Sequence, residues 1–282
     1  MTSGQTASRP DDRIIVDSFY TDAKDPRQTF DLAIPPNASG STGLILCIHG
    51  GGWIEGSKSS YADFLKNVSG ENGFAAASIN YRYVSETVGF DDVLDDVTAA
   101  LSAIRAAGEA RGVRFNKVLL TGISAGGHLS LLYAYTRKDT APIKPVCVVE
   151  LCGPTDLEDD FYYSEDTSVS KAVGAAYFRN IISHGVKHAI LPDDFDAARP
   201  ALKKYSPIRY MDSNTVPTVF GHGEQDEIVP YQNALDLNKA LIEYGVEHTF
   251  VSFPNSGHNC EDDASVSRFM DLFFKCAEKY LK

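Results

Sequence analysis

The sequence has little cysteine, no long apolar run and no zinc-type cysteine pair. Its 282 residues include five cysteines, none in a C-x-x-C pair, so a disulfide scaffold and a zinc or dithiol motif are not supported. No segment approaches the ~20 apolar residues of a membrane span. The first residues, MTSGQTASRPDDR, lack the apolar core of a signal peptide. We therefore expect a cytoplasmic protein.

Basic residues are also scarce relative to acidic ones. The chain has 26 Lys and Arg against 38 Asp and Glu, which gives a formal net charge of −12. Such a charge repels nucleic-acid phosphates and anionic lipid headgroups. The sequence therefore favours a small-molecule partner and argues against a nucleic acid or a membrane surface.

What the sequence does contain is an alternation of strand and helix patterns. Residues 13–20 and 28–34 alternate like antiparallel strands with one solvated face. Six short apolar runs have the composition of buried strands: 44–48, 74–79, 117–121, 146–151, 216–221 and 247–253. Helical spacing of apolar residues follows in four segments: 90–111, 129–135, 231–244 and 266–281. The alternation predicts an α/β fold, with a mostly parallel, twisted sheet covered by helices on both faces.

Two segments fall outside this alternation. Residues 1–11 are polar, and we expect a flexible N-terminus there. Residues 155–210 form a long acidic and aromatic stretch between two predicted core strands, which favours a cap or lid insertion over a surface excursion without a role. The predicted organisation is one domain over residues 12–282, with residues 155–210 as its cap.

The sequence GISAG at residues 122–126 fits the pattern G-x-S-x-G. It directly follows a predicted strand and precedes a helical pattern, which is the context of a nucleophile on a sharp strand-to-helix turn. Such a turn strains the backbone and needs small neighbours, which Gly122 and Gly126 supply. Ser124 is therefore the candidate nucleophile; the alternative is a plain turn that caps a helix.

A second glycine-rich motif, HGGGW, occupies residues 49–53, straight after another predicted strand. Consecutive glycines let backbone N–H groups approach a ligand, as acyl transfer requires where an oxyanion develops. A nucleotide-binding P-loop is the rival for this region. It fails because Ser57 separates Gly56 from Lys58, where the P-loop pattern requires Gly-Lys.

A hydroxyl nucleophile needs a base, and the base needs a carboxylate that orients it. Asp226 and His258 each lie just beyond a predicted strand, at the sheet edge where open α/β folds place their sites. The chain order Ser124, Asp226, His258 is that of one hydrolase fold. Glu224 and Glu227 are rival acids in the same loop.

On these four motifs the sequence resembles the α/β-hydrolases, specifically esterases with an HGGGW loop, such as carboxylesterases and acetyl- or feruloyl-type carbohydrate esterases. The resemblance covers residues 44–282. It implies that Ser124 is the nucleophile, His258 the base and Asp226 its orienting partner. It also implies an oxyanion hole formed by backbone N–H groups of Gly51, Gly52 and Ala125, with Trp53 as a substitute for one glycine.

The resemblance implies cleavage of a carboxylic ester with a small acyl or carbohydrate-linked group, without a cofactor or a metal. Two departures keep other activities open. The elbow has GISAGG where the hormone-sensitive-lipase branch has GDSAGG, and kynurenine formamidases share an HGG-x-W loop. An arylformamidase, another amide or thioester hydrolase, and a non-catalytic binding protein of the same fold are the alternatives.

Aromatic residues and two histidines complete the candidates. Trp53, Tyr162 and Tyr163 are expected to line the substrate pocket, although packing of the cap would explain the tyrosines equally well. His184 and His188 have the i, i+4 spacing of a helical metal pair, but no third ligand is evident. We therefore predict no metal site.

Overall fold

The computed structural model describes residues 13–163, 175–190 and 195–282. Its centre is an eight-stranded sheet with the order β1-β2-β4-β3-β5-β6-β7-β8. The strands are β1 Ile14–Phe19, β2 Thr29–Ala33, β3 Gly40–Ile48, β4 Ala75–Ile79, β5 Val113–Ile123, β6 Lys144–Leu151, β7 Thr218–Gly223 and β8 His248–Phe253.

Strand β1 pairs antiparallel with β2, and β2 pairs antiparallel with β4. The six strands β3 to β8 run parallel to one another. The predicted mostly parallel sheet is confirmed. All six parallel strands end at one edge, so the loops that follow β3, β5, β7 and β8 converge there.

Seven α-helices accompany the sheet within the described residues. They are α1 Ala62–Asn67, α2 Phe90–Glu109, α3 Ala125–Arg137, α4 Ala175–Val186, α5 Phe195–Lys204, α6 Tyr231–Glu243 and α7 Asp263–Leu281. Alternate side chains of β3 enter two separate apolar clusters. Leu46 belongs to a cluster that includes residues of α2, α3 and α6, and Cys47 belongs to one that includes residues of α1 and α7. Helices therefore cover both faces of the sheet, as the sequence predicts.

Three elements, β3, β5 and α3, begin several residues before their expected positions. Strands β3 and β5 begin several residues before their apolar runs, because their polar first halves still pair with each other across a register shift between Thr42 and Leu44. Helix α3 begins at Ala125, inside the glycine-rich turn. Helix α1 was not predicted; its six residues are too few for a recognisable apolar period.

The segment 155–210, which we call the cap segment, connects β6 to β7. Its described part contains α4, α5 and two short 3₁₀ turns. Residues 164–174 and 191–194 of this segment, and the predicted flexible residues 1–11, lie outside the described residues.

Over the described residues, none of the helices combines the length and apolarity needed to cross a bilayer.

Candidate active site

Ser124 lies between β5 and α3, in a turn over residues 122–126 that we call the nucleophile turn. Its backbone has φ 56° and ψ −124°, a conformation that non-glycine residues rarely adopt. The turn is fixed on both sides: the Ser124 N–H donates to Leu151 O at 2.8 Å, and the Ser124 carbonyl accepts from the His128 N–H at 3.0 Å. These bonds hold the Ser124 side chain at the edge of the sheet.

The glycines of the nucleophile turn are required by close backbone contacts. A Cβ atom on Gly126 would lie 2.0 Å from Ile48 O, and one on Gly122 would lie 2.4 Å from the Gly126 carbonyl carbon. Because backbone atoms cannot give way as a flexible side chain does, only glycine fits at these positions. The sequence interpretation of small neighbours around Ser124 agrees with this geometry.

The structure brings Ser124, His258 and Asp226 together, although they come from three separate loops after β5, β8 and β7. Ser124 Oγ lies 2.9 Å from His258 Nε2, and His258 Nδ1 lies 2.8 Å from Asp226 Oδ2. The carboxylate accepts a hydrogen bond from the Nδ1–H group, which leaves Nε2 unprotonated and able to accept the hydroxyl proton. This tautomer is the one that proton abstraction from Ser124 requires.

Asp226 is buried and its two oxygens are fully used. Oδ1 accepts from the N–H groups of Ile228 at 2.8 Å and Val229 at 2.9 Å. Oδ2 accepts a hydrogen bond from His258 Nδ1 and also lies 3.2 Å from His222 Nε2. Burial alone would raise the pKa of the Asp226 carboxyl, but the hydrogen bonds from His222 and His258 outweigh it and hold the pKa well below its usual range. Asp226 is therefore ionised at neutral pH.

A close backbone approach joins the Asp226 and His258 loops. A Cβ atom on Gly223 would lie 2.1 Å from Gly257 O, and the Gln225 N–H donates to Ser256 O at 3.0 Å. The importance of Gly223 was not anticipated from the sequence, because a glycine near the end of a strand gives no sign of which distant loop it will meet.

The glycine loop lies opposite the nucleophile turn. Gly51, Gly52 and Trp53 all have positive φ values, of 103°, 54° and 64°. Within the described part of the chain, no backbone acceptor binds the N–H of Gly51 or Gly52. Ala125 is the first residue of α3, where N–H groups lack an intrahelical acceptor. Gly51 and Gly52 line the cavity that contains Ser124, and Ala125 begins the helix beside it.

His49 holds the glycine loop in shape. Its Nδ1 donates to Gly50 O at 2.7 Å, and its Nε2 accepts from Arg27 Nη2 at 2.9 Å. Burial lowers the pKa of His49 to about 4, although its bond to the Gly50 carbonyl acts in the opposite direction. His49 is therefore neutral, and its role is to fix the loop rather than to exchange protons.

Trp53 is almost fully buried, with 2% of its surface exposed. Its indole Nε1 donates to His128 Nδ1 at 3.2 Å, and His128 Nε2 donates to Tyr205 O at 2.8 Å. Burial lowers the pKa of His128 to about 4, so the ring stays neutral in this chain of bonds. Trp53 borders the cavity, and its ring also packs edge-on against Phe90 and His128, with ring centroids 5.3 Å from each.

A cavity of about 530 Å³ opens onto Ser124 and His258. Tyr162 lines it, and its hydroxyl donates to Asn233 Oδ1 at 3.2 Å. Tyr163 is not among the lining residues; it donates to Leu157 O at 2.7 Å and packs on Phe195 with ring centroids 4.7 Å apart. Of the two tyrosines, only Tyr162 faces the cavity, and Tyr163 contributes to packing of the cap.

Two buried polar residues near the site were missed by the sequence reasoning. Glu150 lies in β6 and accepts from the Gly153 N–H at 2.8 Å; burial raises its pKa to about 8. Asn233 of α6 accepts from the N–H groups of Thr155 and Asp156 at 2.8 and 3.1 Å, which anchors the start of the cap segment. Glu150 could have been noticed as an acidic residue within the apolar run VVEL, whereas no feature of the sequence marks Asn233 as a residue of the site.

The potential metal ligands are engaged elsewhere. Helix α4 ends at Val186 and Lys187 has φ 53°, so His184 and His188 do not share a helical face. Cys152, His222 and Asp226 place ligand atoms within 4.8 Å of one another. However, the single proton on His222 Nε2 is shared between Val229 O at 3.0 Å and Asp226 Oδ2 at 3.2 Å, and Asp226 Oδ2 also binds His258.

The sheet order and the position of the nucleophile turn define an α/β-hydrolase fold. The BD-FAE family model matches residues 30–241, well over half of the chain, and the chain therefore belongs to the BD-FAE family. A truncated carbohydrate esterase from gut microbiota has a similar structure, with a TM-score of 0.70 at 21% identity over 94% of this chain and 97% of that one.

Two curated proteins illustrate the similarity in sequence. Esterase LipC of Mycobacterium tuberculosis is 24% identical over 223 residues, which cover 76% of this chain and 52% of LipC. The non-reducing polyketide synthase atr1 of Stereocaulon alpinum is 35% identical over 129 residues, which cover 44% of this chain and 5% of the synthase. The chain thus spans about half of LipC and a small part of the synthase.

Proposed function

We propose that this protein hydrolyses carboxylic esters with Ser124 as nucleophile, His258 as general base and Asp226 as the group that orients His258. The observation that carries the proposal is the continuous set of contacts from Ser124 Oγ through His258 to Asp226, at 2.9 and 2.8 Å. Relatives named as esterases, such as LipC, and a structural neighbour named as a carbohydrate esterase support it.

The reaction follows two-step acyl transfer. His258 accepts the hydroxyl proton as Ser124 Oγ attacks the ester carbonyl carbon. N–H groups of Gly51, Gly52 and Ala125 stabilise the oxyanion that forms. His258 then donates its proton to the leaving alcohol. In the second step His258 removes a proton from water, which attacks the acyl-enzyme, and the departing Ser124 Oγ recovers a proton from His258.

The cavity favours neutral esters with short acyl groups, including acetylated sugars. Its volume of about 530 Å³ lies in the range of small-ligand sites. Glu55 is the acidic residue among the described lining residues, and none of them is Lys or Arg, so an anionic ester would find no counter-charge there.

The test is Ser124→Ala assayed on p-nitrophenyl acetate. We expect kcat to fall by at least about 10⁴-fold, since loss of a triad nucleophile removes the covalent route. Circular dichroism and Tm should stay close to wild type. The control is Ser102→Ala, which changes an exposed serine of α2 and should keep full activity. Near-normal turnover by a folded Ser124→Ala protein would refute the assignment.

A fluorophosphonate probe separates catalysis from binding alone. The probe reacts with activated serines, so wild type should be labelled at Ser124 and the Ser124→Ala variant should not. Absence of labelling in folded wild type would favour a non-catalytic protein of this fold. A parallel screen of acetyl esters, longer acyl esters, acetylated sugars and an aryl formamide then tests the substrate class; faster cleavage of the formamide would contradict an esterase.

A further inference from the structure

Two cysteines meet where the loop of the proposed general base approaches the end of β6. Cys152 follows the end of β6, and Cys260 lies two residues after His258 in the loop between β8 and α7. Their Sγ atoms are 3.0 Å apart, and both thiols are free. Neither side chain takes part in the mechanism proposed above, so their approach needs a separate explanation.

The backbone, rather than flexible side chains, brings the two sulfurs together. Cys152 and Cys260 both have φ 52°, in the left-handed region that non-glycine residues seldom occupy. The Cys152 N–H donates to Gly221 O at 2.9 Å, and the Cys260 N–H donates to Gly257 O at 3.2 Å. The pair is therefore preorganised, because each cysteine is fixed by hydrogen bonds at its own position.

The pair also lies next to the orienting carboxylate. Cys152 Sγ is within 4.8 Å of the nearest ligand atoms of His222 and Asp226. A covalent link at this point would tie the His258 loop to the sheet beside Asp226. The two sulfurs need to approach by only about 1 Å to reach bonding distance, so the contacts of His258 can be retained.

We propose that Cys152 and Cys260 form an oxidation site, where a hydroperoxide converts the two thiols into a disulfide that locks the His258 loop to the end of β6. Hydrogen peroxide oxidises the Cys260 thiol to a sulfenic acid and is reduced to water. The Cys152 sulfur then attacks the Cys260 sulfur, and the sulfenic oxygen leaves as a second water molecule. The pair loses two electrons and two protons, and the peroxide accepts both.

The burial of the pair sets the order and rate of these steps. Cys260 is 4% exposed and Cys152 is fully buried, so the peroxide reaches Cys260 first. The contact with Cys260 and burial together raise the pKa of the Cys152 thiol well above its usual range. Because the thiolate is the reactive form, oxidation should be slow at neutral pH and faster at alkaline pH.

The bridge would close a loop of 108 residues, which restricts the unfolded chain more than a short loop does. We therefore expect the oxidised protein to keep the activity of the reduced protein, to resist thermal inactivation, and to have a Tm higher by at least about 5 °C.

The experiment treats the full chain with hydrogen peroxide at alkaline pH and removes the excess. Peptide mapping without reduction should recover a Cys152–Cys260 linked peptide, and reduction by dithiothreitol should reverse both the link and the Tm shift. Mapping does not depend on activity, so the result stands whether or not the proposed function is correct.

Matched variants identify the pair responsible. Cys147 and Cys276 also contact one another, so Cys276→Ala removes that second pair and should keep the oxidation-dependent Tm shift. Cys260→Ala and, independently, Cys152→Ala should each abolish the shift. A Tm shift that persists in a folded Cys260→Ala or Cys152→Ala protein, a link mapped only to Cys147 and Cys276, or a Cys152–Cys260 link that abolishes activity would overturn the proposal.

Discussion

The nucleophile turn and the cap segment are attached to the same sheet by different means. Backbone atoms in direct contact hold the turn, as the 2.0 Å approach that a Cβ on Gly126 would make to Ile48 O demonstrates. Side-chain contacts hold the cap segment: Asn233 of α6 anchors its start, and Lys204 forms an ion pair with Asp91 of α2. The chemistry therefore has a rigid support, whereas the cap depends on interactions that other side chains could replace.

This difference explains how one fold can serve several substrates. In the proposed mechanism, a change in the nucleophile turn moves the attacking atom itself, so it should alter the rate for every ester. A change in the cap segment alters only what surrounds the cavity. We expect substitutions in the nucleophile turn and in the cap segment to differ in the size of their effects and in the property that they affect.

The largest effect should follow from Asp226→Asn. The asparagine keeps the shape of the side chain but no longer favours the His258 tautomer with Nδ1–H, so kcat should fall by about 10⁴-fold, as in comparable triads. Steady-state hydrolysis of p-nitrophenyl acetate measures this. The rival acids serve as controls, because Glu224→Gln and Glu227→Gln should keep kcat near wild type. A severe loss in either control, with Asp226→Asn active, would reassign the acid.

Gly126→Ala should be the most destabilising change of the nucleophile turn. The new Cβ meets Ile48 O at 2.0 Å, and the backbone must shift to admit it, which we expect to lower the free energy of unfolding by about 3 kcal/mol. Urea denaturation measures the loss. Gly70→Ala is the control, since its Cβ meets nothing within 4 Å. Equal stability of the two variants would contradict a turn held by backbone contact.

Glu150→Gln should stabilise the protein, and the gain should grow with pH. Burial raises the pKa of Glu150 to about 8 in the folded state from 4.5 when exposed, so unfolding releases a proton between these values. In the wild-type protein, the loss of stability caused by burying the ionised Glu150 carboxylate is absent below about pH 4.5 and is complete near pH 8. We expect a gain of about 2 kcal/mol at pH 8 in urea denaturation. A gain that is equal at pH 5 and pH 8 would show that Glu150 does not titrate as described.

Arg209→Ala should have the smallest effect. Its side chain is 39% exposed, and exposed ion pairs contribute at most about 1 kcal/mol, so Tm should change slightly and kcat for a neutral ester should not change. The comparison variant is Arg82→Ala, which strands the buried Asp96 and should cost more. If Arg209→Ala matched Arg82→Ala, the ion pairs that join the two ends of the cap segment would contribute more stability than their exposure indicates.

Much of the fold was predictable because its determinants are local. Short apolar runs alternate with amphipathic helices, and that alternation by itself indicates a parallel sheet covered on both faces. Helix α3 includes Gly126 and Gly127. Strand β5 extends over polar residues because pairing with β3 outweighs local preference.

The site was less predictable wherever it depends on contacts between distant loops. Tyr163 is equivalent to Tyr162 in composition and position, yet only Tyr162 reaches the cavity, because α5 presents Phe195 to Tyr163. Likewise, nothing in the sequence pairs Cys152 with Cys260. Such contacts depend on how the loops are oriented after the sheet has formed.

The class of fold and the residues available for chemistry follow from the amino-acid sequence, since motif spacing and strand periodicity are properties of the chain. Which atoms meet depends on the folded structure. Ser124 and His258 are separated by 134 positions, and the distance between their side chains depends on the parallel sheet that ends their strands at one edge. The same packing fixes the neutral state of His49, the ionised state of Asp226 and the approach of the two cysteines, because burial and hydrogen bonding are set by neighbours that the linear sequence does not specify.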